Sequence, residues 1–436
     1  MGREVVVGGA GAAGLTAALR AAEAGANVRL LNAHPRIGLK ILMSGGTRCN
    51  VTHREVDARD FNGGSRPFVA RILRAFTPEQ TRAWFESLGV ALKLEETGKF
   101  FPVSDDAHTV LEALLGAASR AGVEVVPGAR VVRIEKPERF RLAIQHVAGS
   151  AEFGPGVVAG LHAQRWPLPE VIPARWIEAD AVVLATGGLS FPRTGSDGTG
   201  FALAEALGHT IVPPVPALTP LTATDPLCRE CQGIALEAEL SLWVDGRREI
   251  AVSGSLLFAH FGYTGPAALD LSRHWLRAGA APERRVVASF VPGATAESLA
   301  GEWVRGASVE PRLTVRRFLG TRLPDRLAVA LCAEAGVEPA AQIAQVDRAA
   351  RARLLEHVVA RPLPISGTLG YEKAEVTAGG VELSEVDPST LESRKCPGLH
   401  LCGEVLDVEG RLGGFNFQFA WSSGTVAGHA AASKDQ

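Results

Sequence analysis

Three glycines near the start of the chain have the spacing that binds a dinucleotide pyrophosphate. Gly9, Gly11 and Gly14 form the pattern G-x-G-x-x-G. Glycine makes up 48 of the 436 residues, so this spacing alone is weak evidence. A run of three valines before the pattern predicts a buried strand, and the alanine-rich stretch after it predicts a helix. Together these features predict a phosphate-binding turn whose helix directs free N–H groups at the ligand.

Asn32 ends the second predicted strand, where dinucleotide-binding folds usually have an Asp or Glu that binds a ribose hydroxyl. An asparagine amide oxygen can accept the same hydrogen bond, but it carries no charge. Charge-assisted hydrogen bonds are roughly twice as strong as neutral ones. We therefore expect Asn32 to contact the ribose and to bind it more weakly than a carboxylate would.

Residues 38–50, with the sequence GLKILMSGGTRCN, predict a glycine-containing loop after this strand. Lys40 and Arg48 could contact a phosphate or a ring edge. They could equally be solvated cations on a surface loop, and composition favours neither role. Cys49 could place a thiol beside a cofactor, although a small packed residue is the more ordinary role for a cysteine in such a loop.

A second glycine segment follows the predicted buried strand over residues 181–184. Thr186, Gly187 and Gly188 have small side chains that would let the backbone pass close to the same ligand. Before this segment, the predicted strand around Val131 lies where such folds contact an adenine through backbone groups. Residues 147–175 are rich in Gly and Pro and predict an irregular excursion from a hairpin.

A third segment begins where the predicted strand over residues 399–402 ends. Gly403 and Glu404 follow the strand directly, and Asp407 comes shortly after them. The pair Gly413–Gly414 then precedes a predicted helix. A helix N-terminus stabilises negative charge, which suits the N1–C2=O edge of a reduced flavin. The alternative is that the two glycines form only a flexible turn.

The composition limits the class of protein. A chain of 436 residues is too long for one compact core and predicts two or three domains. The net charge of -2 argues against a surface that binds nucleic acid or an anionic membrane. The six cysteines lack disulfide spacing, and no signal peptide or long apolar run is evident, so a cytoplasmic location is expected. Nothing in the sequence indicates an oligomeric state.

Two other groups of residues could carry chemistry. Cys228 and Cys231 form a single C-x-x-C pair, which could be a redox disulfide, whereas a four-thiolate zinc site would need distant partners. The ordinary alternative is a pair of thiols in an exposed turn, and no metal site is expected. His260 and Tyr263 could protonate a substrate near a flavin. As a structural residue, His260 would end a strand of a barrel.

The motifs together resemble the BaiN-like flavoproteins, which are also described as aminoacetone-oxidase-family NAD(P)/FAD-dependent proteins. The matching stretches follow one another along nearly the whole chain. They are GAGAAG (9–14), LMSGGTRCNVTH (42–53), FPVSDDAHTVLEAL (101–114), ATGGLSFPRTGSDGTG (185–200), LLFAHFGYTGPAALDLS (256–272), AEVTAGGVELSEVDPSTLES (374–393) and GLHLCGEVLDVEGRLGGFNFQFAWSSG (398–424).

The resemblance implies an α/β fold that binds FAD in a Rossmann-like domain of the glutathione-reductase type. This domain would comprise residues 1–190 and 366–436. A β-barrel-like substrate domain would comprise residues 191–292 and 361–365 and carry a helical subdomain over residues 293–360. The resemblance adds further cofactor contacts to those above. The added residues are Ala12, Ala13, Asn50, Phe415 and Asn416.

The chain departs from the family pattern at two positions and in one segment. The family usually has Glu where this chain has Asn32, and Gly where it has Thr47. Residues 147–175 are longer than is usual in the family. The first departure weakens the expected contact with the ribose, and the other glycine segments would then contribute most of the binding.

The resemblance implies an FAD-dependent oxidoreductase that exchanges hydride between flavin N5 and a small organic substrate. Reduction of an activated C=C bond with NAD(P)H as donor is one form of this activity. The chain has no second strand-linked G-x-G-x-x-G, so a separate nicotinamide domain is not expected. Two alternatives are an amine-type oxidase that uses oxygen and a non-redox flavin-binding protein with an RNA or protein partner.

Overall fold

The computed structural model describes residues 2–149, 173, 175–279, 281 and 283–433. The predicted excursion over residues 147–175 therefore lies largely outside the described residues. The chain divides into two compact units, residues 1–215 with 375–436 and residues 216–374. The predicted domain boundaries stay a prediction. None of the described helices is both long and apolar enough to cross a membrane.

The strands are numbered in chain order. They are β1 (Glu4–Gly8), β2 (Asn27–Asn32), β3 (Thr52–His53), β4 (Phe61–Gly63), β5 (Leu92–Leu94), β6 (Lys99–Pro102), β7 (Glu124–Pro127), β8 (Ala129–Glu135), β9 (Phe140–His146), β10 (Arg175–Ala179), β11 (Ala181–Leu184), β12 (Ile211–Ala217), β13 (Leu221–Ala223), β14 (Ala235–Val244), β15 (Arg247–Ala259), β16 (Gly262–Thr264), β17 (Arg285–Ser289), β18 (Arg361–Leu363), β19 (Ile365–Thr368), β20 (Val376–Val381), β21 (Leu399–Leu401) and β22 (Val408–Gly410).

The helices are numbered in the same way. They are α1 (Ala12–Glu23), α2 (Leu39–Thr47), α3 (Arg66–Ala75), α4 (Pro78–Ser87), α5 (Ala107–Arg120), α6 (Thr199–Ala206), α7 (Pro226–Glu230), α8 (Pro266–Arg277), α9 (Ala296–Val309), α10 (Val315–Gly320), α11 (Asp325–Ala335), α12 (Arg348–Val359) and α13 (Phe415–Ala432).

A five-stranded parallel sheet forms the centre of the first unit, with the order β21-β11-β1-β2-β7. Its strands are short apolar runs because a parallel sheet is covered on both faces. Strand β1 is fully paired on both sides, with β2 and with β11. The connections on its two sides run in opposite directions, and ligands of open α/β sheets bind at such a point. The carboxyl ends of β1, β2, β11 and β21 therefore define the candidate site.

Helix α1 packs against the carboxy-terminal helix α13 through two glycines. A Cβ on Gly424 would lie 2.5 Å from the carbonyl oxygen of Ala13, and one on Gly428 would lie 2.3 Å from that of Ala17. Real Cβ atoms do not approach carbonyl oxygens so closely. Only glycine at these two positions lets the backbones of the two helices approach to this distance.

The structure confirms the predicted elements around the first glycine turn and corrects the segment that follows. Residues 38–50 were predicted to be a loop, and that prediction is wrong for the first part of the segment, where α2 (Leu39–Thr47) begins and has helical backbone angles up to Met43. Its first residues are strong helix formers. The helix is interrupted at Ser44, Gly45 and Gly46, which have non-helical backbone angles. Thr47 has a φ of 70°, which is strained for a β-branched residue and explains why glycine would suit this position.

Smaller antiparallel sheets complete the first unit. Strands β8, β9 and β10 form one sheet, and β9 pairs with β10 as the predicted hairpin requires. Strands β3, β6 and β5 form a second sheet, which places β6 beside β3. Short pairs join β22 to β4 and β12 to β20.

The second unit is built on a seven-stranded sheet with the order β18-β17-β14-β15-β16-β13-β19. Its two edge strands, β18 and β19, are joined by the single residue Pro364. The two edge strands must therefore lie close together at Pro364. The sheet is curved toward closure there, as a barrel-like domain requires. Helices α9 to α12 share one apolar core with this sheet, including the buried side chains of Trp303, Phe318 and Phe290.

The sequence of residues 210–292 favours short strands with Pro and Gly turns, but the structure has two helices in this range. Pro226–Glu230 forms α7, and Pro266–Arg277 forms α8. Pro266 occupies the first turn, where proline is well tolerated. The buried residues Ala267, Leu271 and Trp275 recur every four positions, which is the helical pattern that this prediction overlooked.

The packing of α1 on α13 predicts a large effect for a single methyl group. Gly424→Ala should lower the free energy of unfolding by about 2 kcal/mol or more, because the added Cβ overpacks against a backbone carbonyl. The measurement is urea denaturation followed by far-ultraviolet circular dichroism. Gly116→Ala in α5 is the matched control, because its Cβ would meet only the flexible end of Arg120. That control should be neutral or slightly stabilising, and equal stability of both variants would contradict the packing argument.

Candidate cofactor site

The first glycine turn is held by close backbone contacts. Gly9 has a φ of 106°, and a Cβ there would lie 2.4 Å from the carbonyl oxygen of Ala185. A Cβ on Gly14 would lie 1.7 Å from the carbonyl oxygen of Gly9. These two glycines therefore serve the packing of strand, turn and helix. They also bring the first predicted segment directly against the second, which begins at Ala185.

Gly11 differs from its two neighbours in the motif. It is the N-cap of α1, and no side chain caps that helix end. A Cβ on Gly11 would meet no protein atom within 4 Å. The position therefore faces open space at a helix end that presents free N–H groups, which is the arrangement that holds a phosphate group. Ala12 and Ala13 form the first turn of this helix, as predicted.

Asn32 connects the glycine turn to the loop after β2. Its Oδ1 accepts a hydrogen bond of 3.1 Å from the backbone N–H of Ala10. Its Nδ2 donates to the backbone oxygens of His34 at 2.6 Å and Arg36 at 3.2 Å. A carboxylate could accept from Ala10, but it could not donate to the other two. The Asn32 amide thus links the glycine turn at Ala10 to the loop at His34 and Arg36. A contact with the ribose would have to use the remaining lone pair of Oδ1.

Lys40 and Glu404 form the centre of a polar ring that joins three distant segments. Lys40 Nζ lies 2.6 Å from Glu404 Oε2 and 2.6 Å from Ser190 Oγ. The second oxygen, Glu404 Oε1, accepts from Ser190 Oγ at 3.0 Å and from the backbone N–H of Thr377 at 2.8 Å. A Cβ on Gly188 would lie 2.5 Å from Thr377 Oγ1, so only glycine fits beside the ring.

Ser190 and Thr377 were not among the predicted site residues. Both lie in the matching motif stretches, and Thr377 Oγ1 accepts from the backbone N–H groups of Leu189 at 2.8 Å and Ser190 at 3.1 Å. Their presence in those motifs was the only available signal. Both residues contact Glu404, which is far from Ser190 in the sequence. Sequence spacing therefore could not reveal these contacts.

The second glycine segment follows β11, which pairs with β1. Gly187 has a φ of 74°, and a Cβ there would lie 2.9 Å from Ser196 Oγ. Thr186 Oγ1 is buried and has no hydrogen-bond partner within the described part of the chain. Val131 of β8 is buried, and its Cγ2 lies near the end of β1, 3.8 Å from a Cβ built on Gly8.

Arg48 and Cys49 lie together after α2 but have different environments. Arg48 pairs with Glu95 at 2.6 Å and lies over the ring of Phe101 at 4.0 Å from its centroid. Its charge is therefore matched by a carboxylate. Cys49 is fully buried, and burial raises the pKa of its thiol to about 12. A thiol with so high a pKa is a poor nucleophile at neutral pH, which fits the role of a packed residue.

Helix α13 begins at the third glycine segment, with Gly414 as its N-cap and no side-chain cap. A Cβ on Gly414 would lie 2.7 Å from Asn50 Oδ1 and 2.9 Å from the carbonyl oxygen of Thr52. Asn50 is only 8 % exposed, and its Oδ1 has no hydrogen-bond partner among the described residues. An uncapped helix end thus lies beside a buried oxygen that still requires a donor.

The residues around this helix end fix its position. Phe415 is buried and stacks on the ring of His53, with a centroid distance of 4.9 Å. Asn416 accepts from the backbone N–H of Gly410 and donates to the Gly410 oxygen, at 2.8 Å in both cases. Both polar atoms of Asn416 are used within the protein. Phe415 and Asn416 therefore have contacts that position the segment before α13.

Gly403 places the end of strand β21 against α1 and α13, and Asp407 lies beside β20. Gly403 has a φ of 74°, and a Cβ there would lie 2.7 Å from Ala13 Cβ. Its backbone N–H donates to Ser423 Oγ at 3.0 Å. Asp407 is buried, and its backbone N–H donates to the oxygen of Val381 at 3.0 Å.

The two residues predicted to protonate a substrate have opposite surroundings in the second unit. His260 is exposed in the two-residue turn between β15 and β16. Tyr263 is fully buried and donates a hydrogen bond of 2.5 Å to Asp225. Asp225 also pairs with Arg361 at 2.8 Å. Burial raises the pKa of Tyr263 far above its usual value. The hydroxyl of Tyr263 is therefore held in a buried contact with Asp225. His260 stays a candidate proton donor.

Cys228 and Cys231 are not in an exposed turn. Both side chains are buried in the core of the second unit, and both are free thiols. Burial raises the pKa of each thiol to about 11. The expected exposed turn is therefore wrong, because Cys228 lies within α7 and that helix packs its inner face on the sheet.

These features together fit FAD. Gly11 offers open space for a pyrophosphate at one helix end that lacks a side-chain cap, and Gly414 lies at the other helix end of this kind. Gly424, which packs against the first turn of α1, lies ten residues after Gly414, so the two helix ends are separated by roughly 15 Å at 1.5 Å per residue. A flavin dinucleotide places its pyrophosphate and its ring system at a separation of this order, whereas a phosphate alone does not.

The open space at Gly11 predicts a variant that affects the ligand and spares the protein. Gly11 has a φ of -86° and a ψ of -166°, which alanine can adopt, so Gly11→Ala should unfold within about 1 kcal/mol of the wild type. The added methyl group should weaken FAD binding about tenfold or more, because it occupies the space of the pyrophosphate. Titration of apoprotein with FAD, followed by fluorescence, measures the dissociation constant.

Gly320→Ala is the matched control for this variant. Gly320 is the last residue of α10, and a Cβ there would also meet no protein atom within 4 Å. Its variant should bind FAD like the wild type. Wild-type affinity in Gly11→Ala would show that the pyrophosphate does not approach this turn.

Comparison with curated proteins finds relatives that match along nearly their whole length. The chain is 33% identical to the 3-dehydro-bile acid delta(4,6)-reductase of Clostridium scindens, with 100% of both chains covered. It is 31% identical to the ribosomal RNA dihydrouridine synthase of Escherichia coli, with 96% of both chains covered. The protein of the same name from Haemophilus influenzae is 30% identical over 96% of both chains.

Solved structures give a weaker match. The 3-ketosteroid-delta4-(5alpha)-dehydrogenase of Rhodococcus jostii, in complex with 4-androstene-3,17-dione, covers 99% of this chain and matches over 97% of its own length, at 15% identity and a TM-score of 0.48.

The family comparison is decisive for the fold. The family described as HI0933-like protein Rossmann domain matches residues 3–162 and 171–430. The match covers both ends of the chain, which together build the parallel sheet and the two long helices. With the full-length relatives, it confirms the predicted class, an FAD-dependent oxidoreductase with a Rossmann-type nucleotide-binding domain. The chain belongs to the HI0933-like family.

Proposed function

We propose that this protein reduces a carbon–carbon double bond that is conjugated with a carbonyl group. One observation carries the proposal: full-length relatives with unlike named substrates act on the same kind of bond. In a 3-dehydro bile acid, double bonds at positions 4 and 6 are conjugated with the 3-oxo group. In uridine, the 5,6 double bond that becomes saturated in dihydrouridine is conjugated with the 4-oxo group.

The chemistry requires a hydride, a proton and an external reductant. When bound in its reduced form, FAD would supply the hydride that the carbon β to the carbonyl requires, and a proton would have to reach the α carbon. One such turnover would saturate one C=C bond and leave the cofactor oxidised. NAD(P)H is the donor class that we propose for the return of two electrons. Because the sequence has a single strand-linked G-x-G-x-x-G, NAD(P)H would bind only transiently.

The residues of this chain would bind and orient the cofactor. The N–H groups at Gly11 would hold the pyrophosphate, and Asn32 would hold the turn that presents them. The ring of Lys40, Glu404 and Ser190 would keep three segments in register beside the cofactor. The N-terminus of α13 would stabilise the negative charge that develops on the flavin during reduction.

A small molecule is the proposed substrate class, and a uracil base in RNA is the second candidate. The names of two relatives favour RNA. The net charge of -2, with Lys+Arg 45 and Asp+Glu 47, supplies no surplus of cations for a phosphate backbone and favours the small molecule. All six cysteines are free thiols, so we also propose a cytoplasmic, reducing location.

The proposal predicts the outcome of an anaerobic mixing experiment. The protein should release FAD, not FMN, on denaturation. Protein reduced with NADPH should be reoxidised when it is mixed with a 3-oxo-4-ene or 3-oxo-4,6-diene steroid, with recovery of the flavin absorbance and a product that carries two additional hydrogens by mass spectrometry. The corresponding saturated 3-oxo steroid is the control, and it should leave the flavin reduced.

Two other results would redirect the proposal. If unmodified ribosomal RNA reoxidises the flavin and acquires dihydrouridine while the steroids do not, RNA is the substrate and the proposed bond chemistry stands. If no conjugated carbonyl compound reoxidises the flavin but an amine drives steady oxygen consumption, the protein is an oxidase and the proposal is wrong.

A further inference from the structure

A cationic side chain that none of the predicted contacts includes lies at the N-terminus of α13. Lys99 is the first residue of β6 and pairs in register with His53 of β3. A Cβ on Gly413 would lie 3.5 Å from Lys99 Cε. The Lys99 side chain is partly buried. Within the described part of the chain, no hydrogen bond, ion pair or ring contact involves its ammonium group.

The other cations of the candidate site are already matched by carboxylates. Lys40 is paired with Glu404 at 2.6 Å, and Arg48 is paired with Glu95 at 2.6 Å. Arg411 is a further cation near this helix end among the residues that the structure describes, and it is matched as well. It lies over the ring of Phe415 and pairs with Asp60 at 3.0 Å. Lys99 is therefore the cation here whose charge could match that of a ligand.

A second and independent observation also indicates a ligand at this place. The side chain of Asn50 is more than nine-tenths buried, and its Oδ1 has no partner among the residues that the structure describes. That oxygen lies 2.7 Å from the position of a Cβ on Gly414. An unsatisfied buried acceptor costs about 1–3 kcal/mol, so a ligand that donates a hydrogen bond at this place would recover that cost. Lys99 and Asn50 reach the same helix end from different segments.

We propose that Lys99, Asn50 and the first N–H groups of α13 form one subsite for the pyrimidine edge of the flavin. This inference rests on the proposed function and deepens it. The edge consists of N1 and the C2 oxygen, which accept hydrogen bonds, and N3–H, which donates one. The subsite offers the complementary set: an ammonium group and helix N–H groups as donors, and Asn50 Oδ1 as the acceptor. Lys99 then positions positive charge where electrons accumulate during reduction.

Sulfite provides a probe of this charge that needs no substrate. Its sulfur uses a lone pair to form a bond to N5 of oxidised flavin, and the displaced electron pair leaves a negative charge on the N1–C2=O edge. No other oxidant or reductant takes part. The dissociation constant of sulfite therefore reports the electrostatic environment of the edge in a protein that is saturated with FAD.

The experiment compares three variants at matched FAD occupancy. Lys99→Met removes the charge with little change in length and should raise the sulfite dissociation constant about tenfold or more. Lys99→Arg keeps the charge and should stay within about threefold of the wild type. Lys136→Met is the control, because Lys136 is an exposed lysine directly after β8 that contacts the ring of Phe140. It should bind sulfite like the wild type.

The outcomes separate this inference from the proposed function. A sulfite affinity of Lys99→Met within about twofold of the wild type, in a protein that holds FAD, would overturn the inference. If that variant also still reduces a conjugated steroid, the proposed function survives alone. If the wild-type protein binds no FAD, the proposed function fails first. A lowered flavin midpoint potential in Lys99→Met, measured by dye equilibration, should accompany the weaker sulfite binding.

Discussion

The close packing of α1 on α13 is the constraint on which the candidate site depends. Because Gly424 and Gly428 have no side chains, the two helices approach until a Cβ would overlap with the carbonyl oxygens of Ala13 and Ala17. This contact sets how far along α13 the first turn of α1 lies. The two uncapped helix ends are therefore held at one separation by a single rigid element, since a helix rises 1.5 Å for each residue.

The remaining contacts hold the turns and strand ends of the site against this frame. Glycines with positive φ and small neighbours bring the carboxyl ends of β1, β11 and β21 together, as at Gly9 against Ala185 and Gly403 against Ala13. The ring around Glu404 then links the segments that carry Lys40, Ser190 and Thr377. Two of the buried polar atoms that lack a hydrogen-bond partner among the described residues, Asn50 Oδ1 and Thr186 Oγ1, lie in the predicted cofactor segments.

Local pattern predicted the elements around the glycine segments and the family resemblance implied the cofactor, but neither could predict which side chains pair with each other. The glycine turn, the strand before it and the helix start after Gly414 follow from spacing and composition. Helix α2 was missed because two glycines suggested a loop. The contacts of Glu404 and the approach of Lys99 to Gly413 join residues far apart in sequence, and no periodicity reveals such pairs. The position of Asn32 at the end of β2 predicted a contact with the ribose. In the structure, the Asn32 amide nitrogen donates to two backbone oxygens of the protein.

The central claim is that one dinucleotide is held between the two helix ends. A crystal structure of the protein with FAD bound tests it most directly. The account predicts the pyrophosphate against the N–H groups at Gly11 and the N1–C2=O edge of the ring against Gly413–Gly414. It also predicts that Asn50 Oδ1 accepts a hydrogen bond from the ring. A cofactor whose ring lies away from α13, with Asn50 still lacking a donor, would contradict the account.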